Sequence, residues 1–182
     1  MSMELSENNY SVRELLLTDK DSVLAIWSEG RSFLRESGVS QWQKGDYPGE
    51  EAFFEDLKEK RGRVVINSDR VVGVFAFTLT SEPSYSTLNG LWDTNEGEYL
   101  TIHRSAVKRD EMGKGIMSLI LSYSISEAKR NNKKSVRIDT HKDNGAMIRA
   151  LRKNGFEEKG SIILLSGSEK GDGRLGFEKC IN

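Results

Sequence analysis

The chain has 182 residues, 27 Lys and Arg against 28 Asp and Glu, net charge -1, with 36% hydrophobic and 30% charged residues. This balance predicts one soluble domain with a buried core rather than a disordered chain, and it disfavours a broad basic nucleic-acid footprint. No apolar run reaches the ~18 residues that span a bilayer, so no membrane partner is expected.

Residues 1–9 read as a loose polar tail without a signal peptide, and residues 10–182 as one domain without repeats or linkers. Residues 10–17 form a first strand. Thr18 and Asp21 open a helix carrying Val23, Leu24, Trp27, Phe33 and Leu34, which ends near Gly38. A polar loop holding Trp42 leads to Pro48, the start of a second helix with an apolar stripe of Phe53, Phe54 and Leu57. Residues 63–66 and 71–79 read as a hairpin around Asn67-Ser68-Asp69, and a long loop with Pro83, Tyr85 and Trp92 follows. Residues 99–107 are a strand. Residues 113–130 are a helix with Ile116, Leu119, Ile120 and Tyr123 on one face. A short strand at 136–140 precedes a helix opened by Asp143-Asn144 and stopped by Asn154-Gly155. Residues 156–165 and 174–178 close the chain as a hairpin. The order β-α-α-β-β-β-α-β-α-β-β predicts the α/β class with a mixed central sheet. A single cysteine, Cys180, excludes an intrachain disulfide and points to the cytoplasm. With two histidines and one cysteine, no metal site is expected.

The chemistry concentrates in Ser105-Ala106-Val107, the linker at 108–111, and Met112-Gly113-Lys114-Gly115-Ile116-Met117. A strand ends there, glycines turn the chain, and a helix begins. Glycines let backbone approach a bulky ligand, and free N–H groups at a helix start favour phosphate oxygens. The spacing is not that of a Walker loop, and the third glycine of a dinucleotide fingerprint is absent at Ser118.

With the element order, this segment resembles the GNAT superfamily of acyl-CoA-dependent N-acyltransferases over about residues 10–179. The family motif Gln/Arg-x-x-Gly-x-Gly/Ala falls on Met112 to Met117. Gly115 keeps the first small residue, Met112 replaces Gln/Arg, and Met117 replaces the second Gly/Ala. Residues 144–156 are similar to the family's Asn-x-x-Ala-x-x-Leu-Tyr-x-x-x-Gly-Phe, with Leu151 where a tyrosine general acid is common. The resemblance implies a GNAT-like fold and acetyl-CoA as cosubstrate. It implies that Met112, Gly113, Lys114, Gly115, Ile116 and Met117 hold the pyrophosphate, that Ser105, Ala106 and Val107 hold pantetheine, and that Asn144 contacts the coenzyme. The implied activity is acetyl transfer to a primary amine of a small molecule or peptide by direct attack in a ternary complex. A non-catalytic acyl-CoA-binding sensor is the alternative. No nucleic acid is an expected partner, and a homodimer is compatible with the sequence.

Lys108, Arg109 and Lys114, with Lys142, Arg149, Arg152 and Lys153, can either meet phosphates or form a solvated surface. Strand alternation places Thr101, His103, Ser105 and Val107 on one face. His103 is therefore the candidate catalytic base or a hydrogen-bonded structural histidine, with His141 and Glu98 behind it. Trp42, Tyr85 and Trp92 are candidate walls of the acceptor pocket, whereas Trp27 reads as core.

Overall fold

The structure is a computed structural model that describes residues 9–181. All but the last residue of the expected tail lies outside them. In chain order the described residues form β1 (Tyr10–Glu14), α1 (Lys20–Glu36), α2 (Glu50–Lys58), β2 (Gly62–Asn67), β3 (Arg70–Thr78), β4 (Asn89–Gly90) and β5 (Tyr99–Val107). Then come α3 (Ile116–Arg130), β6 (Ser135–Thr140), α4 (Gly145–Lys153), β7 (Glu157–Ile163) and β8 (Gly173–Cys180). Short 3-10 turns lie at Leu17–Asp19, Pro83–Thr87 and Arg109–Glu111.

The strands make one mixed sheet in the order β1-β2-β3-β5-β6-β8-β7-β4. The expected element order holds, with β4 as an addition. Two residues are too few to show a period-2 pattern, and β4 exists only because it meets β7. That meeting needs glycine. A Cβ on Gly90 would fall 1.9 Å from the Lys159 carbonyl oxygen. Among the described residues, no helix is long and apolar enough to cross a membrane.

Both faces of the sheet are covered. Leu100, Ile102, Val136, Ile138 and Phe177 pack with Leu119 and Ile120 of α3 and Leu151 of α4. On the opposite face Val64, Val74 and Ala106 pack with Trp27 of α1 and Phe53 of α2. Two covered faces explain why β2 and β3 read as nearly continuous apolar runs. A third, smaller cluster joins Tyr85, Tyr99 and Ile162 to Trp92.

Two irregularities shape the middle of the sheet. First, β5 and β6 are the parallel pair, and their pairing stops at Thr101 and Arg137. Beyond that point β5 stays with β3 and β6 with β8, so the two strands part like a fork. Second, β5 carries a bulge. Val74 faces Ala106 but Ala76 faces His103, so β5 spends one residue more than β3. Arg104 sits there in the left-handed region, with φ 52°.

The bulge is tied down from both helices of that face. The Arg104 carbonyl accepts the Trp27 indole N–H at 3.1 Å. Its guanidinium grips the buried carboxylate of Asp56, which also accepts Arg61 Nε at 2.6 Å. The bulge corrects the simple alternation expected along this strand. Ala106 turns into the α1–α2 core, while Val107 packs on the α3 side.

Candidate active site

A cleft of about 780 Å³ runs from the start of α3, through the fork between β5 and β6, to the loops that follow α1 and β3. Its first end is the glycine loop. Lys108 N–H donates to the Val72 carbonyl at 2.8 Å, which fixes where β5 ends. The chain then turns through Gly113 and Gly115, with φ 80° and 87°, into Ile116, the first residue of α3. The first N–H groups of a helix lack intrahelical acceptors and stand at the positive end of its dipole. A Cβ on either glycine would meet nothing within 4 Å. Backbone conformation selects glycine here, and the space beside it is open.

Glu111 anchors this loop. Tyr10 donates its hydroxyl to Glu111 Oε2 at 2.7 Å, and Arg70 and Lys114 stand 3.4 and 3.2 Å from the carboxylate. The Tyr10 hydrogen bond first, then the Lys114 hydrogen bond and charge and the Arg70 charge, hold the Glu111 carboxyl below its ordinary range against the opposing effect of burial. The other expected loop cations are also paired. Lys108 meets Glu29 at 3.1 Å, and Arg109 forms an ion pair with Glu36. Lys153 of α4 lines the cleft.

Of the residues expected to hold the coenzyme, Ser105, Ala106, Val107, Met112, Gly113, Gly115, Ile116, Met117 and Asn144 all line this one cleft. Lys114 does not, because its ammonium is turned back to Glu111. Asn144 serves as the N-cap of α4. Its Oδ1 accepts Met147 N–H at 3.2 Å, and its Nδ2 donates to Thr140 Oγ1 at 3.1 Å.

Of the three aromatics expected to wall an acceptor pocket, one lines this cleft. Trp42 lines the cleft, in a left-handed conformation (φ 64°) held by its N–H donating to the Glu169 carboxylate. Tyr85 and Trp92 are not among the residues lining the cleft. Their rings pack 5.1 Å apart in the third cluster. There Trp92 and Tyr99 sandwich the Arg137 guanidinium at 4.2 and 3.8 Å. That buried charge is paired with Glu178 at 3.0 Å, so Trp92 packs on a buried arginine within the sheet.

His103 does line the cleft, with Nε2 3.1 Å from Thr78 Oγ1. Burial, then the positive charges of Arg104 and Arg61, lowers its pKa to about 3, so the ring is neutral at ordinary pH. His141 pins the α1–α2 loop instead. Its Nε2 lies 3.1 Å from Ser40 Oγ, and its Nδ1 accepts Asp143 N–H at 3.2 Å. Glu98 forms an ion pair with Lys134 where β5 and β6 begin, and it is not among the residues lining the cleft.

Sequence reasoning passed over Asp139, which lines the cleft from the end of β6. Tyr85 donates its hydroxyl to Asp139 Oδ1 at 3.0 Å. Burial raises the pKa of this carboxyl to about 6, although the Tyr85 hydrogen bond and the Arg174 charge both pull it down. The signal was present. Arg137 and Asp139 alternate with Val136 and Ile138, so a polar face was legible on that short strand. Arg104 was passed over as well, because a bulge leaves no local mark in the sequence.

The Acetyltransferase (GNAT) family model matches residues 25–156, well over half of the chain. No curated protein matches it. Among solved structures, an acetyltransferase of the GNAT family from Streptococcus agalactiae is 25% identical, with 95% of this chain and 96% of that chain covered and a TM-score of 0.84. An N-acetyltransferase from Staphylococcus aureus Mu50 is 19% identical, with 96% and 99% covered and a TM-score of 0.66. YncA from Salmonella typhimurium, solved with its cofactor acetyl-CoA, is 16% identical, with 96% and 95% covered and a TM-score of 0.64. The latter two likenesses carry the fold alone. With the family model spanning both the glycine loop and the fork, the chain belongs to the GNAT family of acetyltransferases.

Proposed function

We propose that this protein moves an acetyl group from acetyl-CoA to a primary amine of a small molecule or peptide by direct attack in a ternary complex. One observation carries the reading: a loop with two left-handed glycines and a helix start opens onto the same cleft in which β5 and β6 part. The residues fit the coenzyme. Gly113 and Gly115 border open space beside the first amides of α3, a setting suited to a pyrophosphate held by amides around Gly113 to Met117. The edge of β5 that β6 leaves at Thr101 provides backbone groups at Ser105 to Val107 for an extended pantetheine arm.

Asn144 keeps α4 in register beside this groove through its cap. Leu151, at the position where relatives often place a tyrosine, is wholly buried and donates no proton. A thiol with pKa near ~8.5 leaves with help from solvent. Trp42 walls the acceptor end. His103 is better suited to shaping the wall than to accepting a proton. With a pKa of about 3, its deprotonating an ammonium of pKa about 10 would be uphill by roughly seven orders of magnitude.

The test is thiol release from acetyl-CoA across a panel of primary amines, paired with calorimetric titration of acetyl-CoA. Binding with amine-dependent thiol release supports the reading. Binding without release from any amine would replace it with an acyl-CoA sensor.

A further inference from the structure

The fork has two arms, and each presents a titratable side chain to the cleft two residues beyond its last paired residue. The last paired residues are Thr101 and Arg137. Two residues beyond them, on the same face of each strand, stand His103 on β5 and Asp139 on β6. His103 is neutral. Asp139 is therefore the ionisable group that flanks the mouth of the fork.

Its surroundings leave it available. Tyr85 supplies one hydrogen bond, and among the described residues no salt bridge joins Asp139 to a cation. The charged and titratable groups around it are Tyr85 from the 3-10 turn, Arg174 from β8, Glu82 from the loop after β3 and Glu169 from the loop after β7. Arg174 is already engaged, with Nη2 2.8 Å from Glu169 Oε2. With Glu169 neutralising Arg174, the carboxylates of Asp139 and Glu82 are left in excess, and they make this end of the cleft receptive to a cation.

We propose that Asp139 is the catalytic carboxylate of the acceptor site: it binds the ammonium of the incoming amine and takes its proton. This inference rests on the acetyl-transfer reading and deepens it. The carboxylate gains the proton, and the amine nitrogen regains its lone pair. That pair forms the new C–N bond as the C–S bond breaks and leaves its electrons on sulfur. The second nitrogen-bound proton ends on the departing thiolate, and Asp139 returns the first to water. A carboxyl whose burial offsets its partners, with a pKa near 6, is ionised at neutral pH yet closer to an amine in basicity than an exposed aspartate.

Asp139→Asn keeps the size of the side chain and an acceptor for Tyr85. With acetyl-CoA and phenethylamine, spermidine or a lysine-bearing tetrapeptide, thiol release at pH 7 should fall by about 10²-fold or more. The deficit should shrink as pH rises and free amine becomes abundant, with acetyl-CoA affinity unchanged. Infrared difference spectra should show a carboxyl band titrating near the expected value of about 6 in the wild type and missing in Asp139→Asn. Tyr85→Phe should move that band, and the acid limb of the activity profile, to higher pH. A folded Asp139→Asn enzyme with wild-type turnover and pH profile overturns the assignment, as does the absence of the infrared band. A wild type that releases no thiol with any amine removes the transfer reading instead. Calorimetric binding of phenethylammonium to the wild type and not to Asp139→Asn would then keep Asp139 as an ammonium site, and equal or absent binding would reject it.

Discussion

Arg104 Nε donates to Asp56 Oδ2 across 2.9 Å, and this contact ties the bulge of β5 to the last turn of α2. Both side chains are buried, at 9% and 3% exposure, and Arg61 shares the same carboxylate. The bulge turns Ala106 toward α1 beyond the point where β5 and β6 part, so a charge pair 48 residues apart in sequence braces one arm of the fork.

Asp56→Ala should be severely destabilising. It leaves the buried Arg104 charge without its partner and removes one of the two partners of Arg61, a loss of about 3–5 kcal/mol. Urea unfolding followed by circular dichroism measures it. A change below about 1 kcal/mol would show that the pair does not hold the bulge.

Gly115→Asp should weaken acetyl-CoA binding by placing a carboxylate where the amides of α3 face outward. Gly115→Asn is the paired control, because asparagine tolerates the left-handed region about as well as aspartate and carries no charge. Calorimetric titration should find the larger loss for Gly115→Asp, shrinking as salt is raised. Equal affinities for wild type and Gly115→Asp in folded protein would remove this loop from the site.

His103→Ala separates a wall residue from a base. The imidazole fills space beside Thr78 and makes one hydrogen bond, so its loss should lower the melting temperature. Activity per folded molecule should fall by less than about tenfold, with the shape of the pH profile kept. A loss of about 10²-fold that fades at high pH would return the proton to His103.

Asp139 should also leave a mark on stability. Its folded pKa of about 6 lies above the ordinary value of 3.8, so the native state holds a proton that the unfolded chain has released. That contribution is full below about pH 4 and is lost as pH rises through about 6. Roughly two pKa units correspond to about 3 kcal/mol at most. Thermal unfolding from pH 4 to 7 should therefore show a downward contribution in the wild type that Asp139→Asn lacks. Identical pH dependence in the two proteins would place Asp139 in an ordinary solvated setting.

The sequence by itself determined the four α-helices and seven of the eight strands of the described residues, and the position of the glycine loop. Each of these rests on near neighbours: apolar period, caps, and glycines at a strand end. Only the tertiary structure decided which side chains face the cleft. The parting of β5 and β6, the bulge at Arg104, and the two-residue β4 are matters of register between distant strands. Tyr85 and Trp92 sat in a polar loop and read as pocket walls, yet both pack in a separate cluster with Tyr99, where Trp92 also covers the buried Arg137. His103 and Asp139 show the same division. Their positions on one face of each strand follow from period two. Their proton affinities follow from burial and from charges on Arg61, Arg104 and Arg174, which only the folded chain brings near.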